Sequence, residues 1–103
     1  MKTYTGRREY HLTIVTVNDR PLDPRLDLWE HSPAGFEWGY GGSGPAQLAL
    51  ALLADHLGDD ELAMALHQDF KLAVVAKLSQ PTWSLTSDQI EEAVQLLTLV
   101  GAA

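Results

Sequence analysis

Residues Phe36–Leu53, FEWGYGGSGPAQLALALL, set four glycines and a proline against a run of apolar helix formers. Two readings compete for this stretch: a loop that cradles a phosphate, or a tight turn into a buried helix. The spacing of Gly39, Gly41 and Gly44 fits the dinucleotide fingerprint G-x-G-x-x-G, and Gly39 to Gly44 fits the first half of a P-loop. A dinucleotide fold needs a parallel strand after the helix, whereas here the helix ending at Gly58 leads straight into another helix. A P-loop needs Lys and Ser or Thr after its last glycine; Pro45 and Ala46 stand there, so the phosphate-binding cation and the magnesium ligand are both missing. Ser43 is not in a nucleophile elbow, because Pro45 occupies the position where G-x-S-x-G requires glycine. The glycines are therefore read as structural, letting an aromatic segment turn tightly and bring its backbone against the helix.

On the N-terminal side, Tyr10 to Val17, YHLTIVTV, is rich in β-branched and aromatic residues and runs into the turn cluster Asn18-Asp19-Arg20-Pro21, the pattern of a strand entering a hairpin. Apolar residues in both alternating sets, Leu12/Ile14 and Val15/Val17, predict a strand that is central or covered on much of both faces. Thr3 to Arg8 is expected as its partner or as a frayed edge. Pro21, Pro24 and Pro33 argue against a long regular element between Leu22 and His31. The alternation of Phe36, Trp38 and Tyr40 predicts a short strand with one aromatic face.

On the C-terminal side three helices are expected. The first is capped at Gly44 with Pro45 next and Gln47 third, closes at Gly58, and is apolar nearly all round, the mark of a central buried helix. The second opens on Asp59, Asp60 and Glu61 at the positive end of its dipole and carries the stripe Leu62, Leu66, Phe70, Ala73 and Val74, stopping before Pro81. The third has Thr86 as N-cap with Gln89 three residues on, a Leu85/Ile90 staple, and the stripe Ile90, Val94, Leu97 and Val100. The fold class that follows is α+β: one domain over residues 1–103, with a small antiparallel sheet of two to four strands from the N-terminal part packed against three C-terminal α-helices.

At 103 residues and 46% hydrophobic composition the chain suffices for one core. It contains no cysteine, which excludes disulfides, thiolate metal sites and cysteine nucleophiles. The opening residues lack an apolar signal core and the longest apolar run, Leu48 to Ala54, is far short of the ~20 residues that span a bilayer, so the expected location is cytoplasmic and away from the membrane. Net charge is −7 and unevenly spread. Residues 1–25 carry five basic and three acidic groups, while residues 26–103 carry eleven carboxylates against Lys71 and Lys77 alone. Such a surface repels phosphate backbones, so direct nucleic-acid binding is not expected. It serves solubility, or it meets a basic partner.

Other candidate chemistry is thin. His11, His31, His56 and His67 show no metal-ligand spacing, and no metal or cofactor is expected. The acidic pairs Asp59/Asp60 and Glu91/Glu92 lie in the first turns of helices, where the dipole explains them without catalysis. Trp29, Trp38 and Trp83 read as packing residues; one left exposed beside carboxylates would be an interface anchor.

The block from Ser32 to Lys77, above all GFEWGYGGSGPAQLALALLAD with LHQDFK after it, resembles a family of small uncharacterised bacterial and archaeal proteins found on chromosomes, plasmids and prophages. The resemblance extends more loosely to Pro21-Leu22-Asp23-Pro24 and to Trp83-Ser84-Leu85-Thr86. It implies no activity; occurrence on mobile elements implies a role in conflict or regulation, such as inhibiting a host defence complex. The leading functional expectation is thus a non-enzymatic acidic module, monomer or homodimer, that binds a protein with a basic surface through Asp55, Asp59, Asp60, Glu61 and Asp69. The alternative is a small-ligand or nucleotide-binding protein that uses the Gly39–Gln47 loop, with anion contacts from Gly41, Gly42, Ser43 and Gly44 at the helix N-terminus.

Overall fold

A computed structural model of the chain describes residues 1–100. Its first part is a meander: β1 (Thr3–Glu9), β2 (Leu12–Val17) and β3 (Arg20–Pro21). Asn18 and Asp19 both have positive φ, 48° and 66°, which gives the two-residue turn between β2 and β3 the hand that suits twisted strands. Two long helices follow, α1 (Ser43–Leu57) and α2 (Asp60–Ala73), then a 3-10 turn over Val75–Lys77. The strand β4 (Thr82–Thr86) returns to the sheet, and α3 (Ser87–Val100) completes the described chain. The sheet order is β3-β2-β1-β4, antiparallel throughout, with Gly6 of β1 opposite both Val15 and Trp83. This is the expected α+β class, at the upper end of the expected strand number.

α1 is the centre of the core. Every residue from Gly44 to Ala54 is buried, because the helix lies between the sheet and α2 and has no solvent face over that length. Gly58 ends it in the left-handed conformation, with its N–H on the Ala54 carbonyl. Asp59 then caps α2 by accepting the Leu62 N–H at 3.1 Å. Thr86 and Gln89 form the anticipated reciprocal pair, Thr86 N–H to Gln89 Oε1 at 2.9 Å and Gln89 N–H to Thr86 Oγ1 at 3.2 Å, at the start of α3.

Several expectations are corrected. Phe36–Tyr40 is not a strand: Gly35 and Gly39 sit at φ 131° and 88°, which breaks any extended run, although Phe36 and Trp38 are buried as expected. Trp38 donates its indole N–H to the Gln80 carbonyl and packs edge-on against Trp83, so the segment is fixed by its side chains rather than by a ladder. Strand β2 starts at Leu12, because Tyr10 turns at φ 57° and projects into solvent. β2 is internal to the sheet, between β3 and β1, as one of the two expectations had it, but it is not covered on both faces; Val15 points into the core, while Leu12 on the other face is exposed. Residues 82–86 are a strand, with the Trp83 indole lying against Gly6. In α2 the buried stripe is Ala63, Leu66, His67 and Phe70, and Leu62 and Ala73 face solvent. α1 begins at Ser43 with Gly42 as cap, slightly earlier than expected. The side chain of Val100, assigned to the α3 stripe, lies outside the described residues. No described helix is long and apolar enough to cross a membrane.

Candidate functional site

The glycine loop is built for packing. The position a Cβ would take on Gly44 is 2.6 Å from the Glu37 Cβ, so the loop and the helix meet there backbone against side chain. The Tyr40 ring fills the corresponding space at Gly42, and the Leu78 carbonyl stands 3.0 Å from that of Gly39. At the N-terminus of α1, Pro45 has no N–H and the Ala46 N–H is bonded to the Gly42 carbonyl. Glu37 lies beside Gly44 with its carboxylate on the Arg8 guanidinium at 2.6 Å. The Glu37 stem thus occupies the space beside Gly44 at the helix start.

The five carboxylates expected to meet a basic partner do not share one face. Asp55, near the end of α1, accepts from the Tyr4 hydroxyl at 2.6 Å and from Lys2 Nζ at 3.0 Å. Asp59 is occupied as the α2 cap. Asp60 pairs with Arg25 at 2.9 Å. Glu61 and Asp69 are exposed; at about 100° per residue Asp69 projects from the side of α2 opposite Asp60 and about 80° round from Glu61. Three of the five are thus engaged within the molecule.

What the structure does assemble is a hydrogen-bonded loop on α2 that presents a tryptophan. Leu22 and Leu28 anchor the loop in or against the core. Asp23 accepts the Arg25 N–H at 2.9 Å, the short polar closure typical of aspartate in turns, and Arg25 at φ 55° reverses the chain so that its carbonyl accepts the Leu28 N–H. The Arg25 guanidinium then ties the loop to Asp27 and to Asp60. These pairs raise the Arg25 pKa and hold the Asp27 carboxyl below its ordinary range, the hydrogen bond to Arg25 being the main cause for Asp27.

Beneath the loop lies Gln47, fully buried in the otherwise apolar α1. Its Oε1 accepts from the His31 and Ser32 amides at 2.7 and 3.1 Å, and its Nε2 donates to the Pro24 carbonyl at 2.6 Å. A single amide therefore satisfies three main-chain groups of the loop. At the loop's far end His31 Nε2 meets His67 Nε2 at 2.9 Å. The two ring centroids are 5.0 Å apart, little less than that nitrogen separation plus the two ring radii, so the imidazoles face each other almost head-on. At that separation the two nitrogens share one hydrogen, and among the described residues no three His, Cys, Asp or Glu side chains group as metal ligands. Desolvation, with the neighbouring His67 and Lys71, lowers the His31 pKa below the ordinary imidazole value.

Trp29 stacks on His31 with ring centroids 5.6 Å apart and remains 55% exposed. Asp27 and Glu30 flank it, and Asp60 and Glu61 begin the helix on which the loop rests. The signal for this site lay in two residues: Gln47, a polar break in an apolar helix, and Trp29, a tryptophan among prolines and carboxylates. The pairing of His31 with His67 had no sequence signal, since the two are 36 residues apart on unrelated elements. Elsewhere, His56 pairs with Glu91 at 2.7 Å, which links α1 to α3 and lowers the Glu91 pKa through that hydrogen bond.

No curated protein and no solved structure matches the chain. A family model does match, over residues 4–96, and these take in nearly all of β1, the glycine block, the Trp29 loop and most of α3. The chain belongs to a family of unknown function, DUF6166.

Proposed function

We propose that the protein is a non-enzymatic binding module that engages a protein partner through the Trp29 loop, with Trp29 as the apolar anchor and Glu30 and Glu61 as an acidic rim. The single observation that carries the reading is Trp29 itself, a large aromatic left 55% exposed on a loop fixed by Gln47, Arg25 and His31. Exposing such a ring costs hydrophobic free energy, and interfaces concentrate their binding energy in pre-positioned Trp and Arg side chains. The complementary partner surface is basic: an arginine or lysine stacked on the indole gains from the rim carboxylates as well. Within this reading the protein acts as an inhibitor of a host nucleic-acid-handling or defence complex, supplied by a mobile element, and occupies a groove that otherwise holds a polyanion.

The test is capture of proteins from the source cell's lysate on immobilised protein at two salt concentrations. Wild type is compared with Trp29→Ala and with Glu30→Gln/Glu61→Gln, each checked for an unchanged melting temperature. A protein set that wild type retains, Trp29→Ala loses, and the charge variant holds without salt dependence is the expected result. Equal capture by all three sinks the assignment. A rise in melting temperature with nucleotide or inorganic phosphate moves function back to the Gly39–Gln47 loop.

A further inference from the structure

The Trp29 loop is fastened to α2 by a contact whose proton count is limited. The His67 Nδ1 lies 2.8 Å from the Met64 carbonyl, which can only accept, so Nδ1 carries a hydrogen and the Nε2 of the neutral ring is bare. His31 must then donate its Nε2–H across the 2.9 Å gap. One added proton fits on His31 Nδ1 without touching that bond. A second, on His67 Nε2, sets N–H against N–H and forces the rings apart.

The surroundings decide when protons are accepted. Lys71, one turn beyond His67 on α2, adds positive charge to the pair. From the loop, Arg25 is committed to Asp27 and Asp60, and Glu30 is exposed. From α1 the facing side chain is Gln47, which does not titrate.

We propose that the His31–His67 pair is an acid-sensitive latch that holds Trp29 in its presented position at neutral pH and releases it on protonation. That Trp29 is what the latch controls rests on the reading of the loop as the binding surface; the latch itself needs no partner. The sign follows from the hydrogen count: acid can only add the proton that His67 Nε2 must lack, so the contact is favoured at high pH and opposed at low pH. The lowered His31 value, set first by burial, acts in the same direction by making charge on the pair less favourable in the native state than in the unfolded chain. Opening is local, because Gln47 still holds the His31 and Ser32 amides and Arg25 still holds Asp60.

Acrylamide quenching of tryptophan fluorescence from pH 8 to 4.5 reads the latch, since Trp38 and Trp83 are buried and Trp29 is not. Wild type should show a reversible change on the acid side of neutrality, with far-UV circular dichroism constant. Trp29→Phe should lose the signal and His67→Gln should lose its pH dependence. His31→Gln serves as the second latch variant should the buried position fold poorly. Long-range nitrogen–proton NMR of the histidines should find the Nδ1–H tautomer of His67 at neutral pH. An Nε2–H tautomer there, no acid transition in wild type, or the same transition in both histidine variants overturns the latch. Because no partner enters, failure of the capture experiment and failure of the latch are separate results.

Discussion

Gln47 and Gly44 show how single residues tie the site to the core. Gln47→Leu keeps the bulk but strands the His31 and Ser32 amides and the Pro24 carbonyl, each of which its amide now satisfies. Leaving a buried polar group unpaired costs about 1–3 kcal/mol, and partial access of water to the loop limits the total to about 2–5 kcal/mol. Denaturant unfolding measures the loss, and hydrogen exchange at His31 and Ser32 should accelerate; a loss under about 1 kcal/mol would mean the loop does not depend on Gln47. Gly44→Ala drives a methyl into the Glu37 stem, 2.6 Å away, and overpacking of this kind costs about 1–3 kcal/mol. Gly41→Ala, where the nearest atom is a Leu72 methyl at 3.7 Å, should cost clearly less. The contrast between the two, read by urea unfolding without any ligand, separates a packing glycine from a binding one.

At the scale of elements, α1 carries the fold. Leu52 is fully buried in the core, so Leu52→Ala opens a cavity and should cost about 2–5 kcal/mol in denaturant unfolding. That helix was legible in the sequence because an apolar pattern without a polar stripe has only one stable environment. Its neighbours were legible where local chemistry is self-sufficient: Asp59 as a cap, Gly58 as a stop, Thr86 with Gln89. Misreadings arose where tertiary contacts choose between equal local options. Phe36, Trp38 and Tyr40 alternate like a strand, yet the chain buries the first two through indole and backbone bonds to residues 75 and 80. Trp83-Ser84-Leu85-Thr86 alternates equally well and does form a strand, because β1 offers it a free edge far back in the chain. In α2 the stripe is rotated from the Leu62–Ala73 pattern toward Ala63 and His67, since α1 and the Trp29 loop both demand a face. The acidic site was legible as composition but not as geometry, because its cations, Lys2 and Arg25, come from the other end of the sequence.

Across the whole molecule, part of the charge asymmetry of the chain is used within it. Lys2, Arg8 and Arg25 from the basic N-terminal segment meet Asp55, Glu37 and Asp60 from the acidic remainder. Exposed pairs of this kind contribute at most about 1 kcal/mol each, so they align the parts more than they stabilise them. The Tyr4 contact to Asp55 is different, because Tyr4 is fully buried and fastens the central strand β1 to the end of α1. Burial first, and then the hydrogen bond and charge of Asp55, push the Tyr4 hydroxyl well above the ordinary phenol value. A raised value in the folded state means that the native protein keeps this proton where the unfolded chain has released it. The stabilisation is therefore complete below the unfolded phenol value of about 10 and is lost as pH rises past it. Tyr4→Phe should cost about 1.5–3 kcal/mol at pH 7, the range for a hydrogen bond to a charged group. It should also flatten the fall in stability between about pH 9 and 11, relative to wild type. Both proteins retain Lys2, so the difference between their urea midpoints across that range isolates the Tyr4 proton; parallel curves would show that β1 is held to α1 by packing alone.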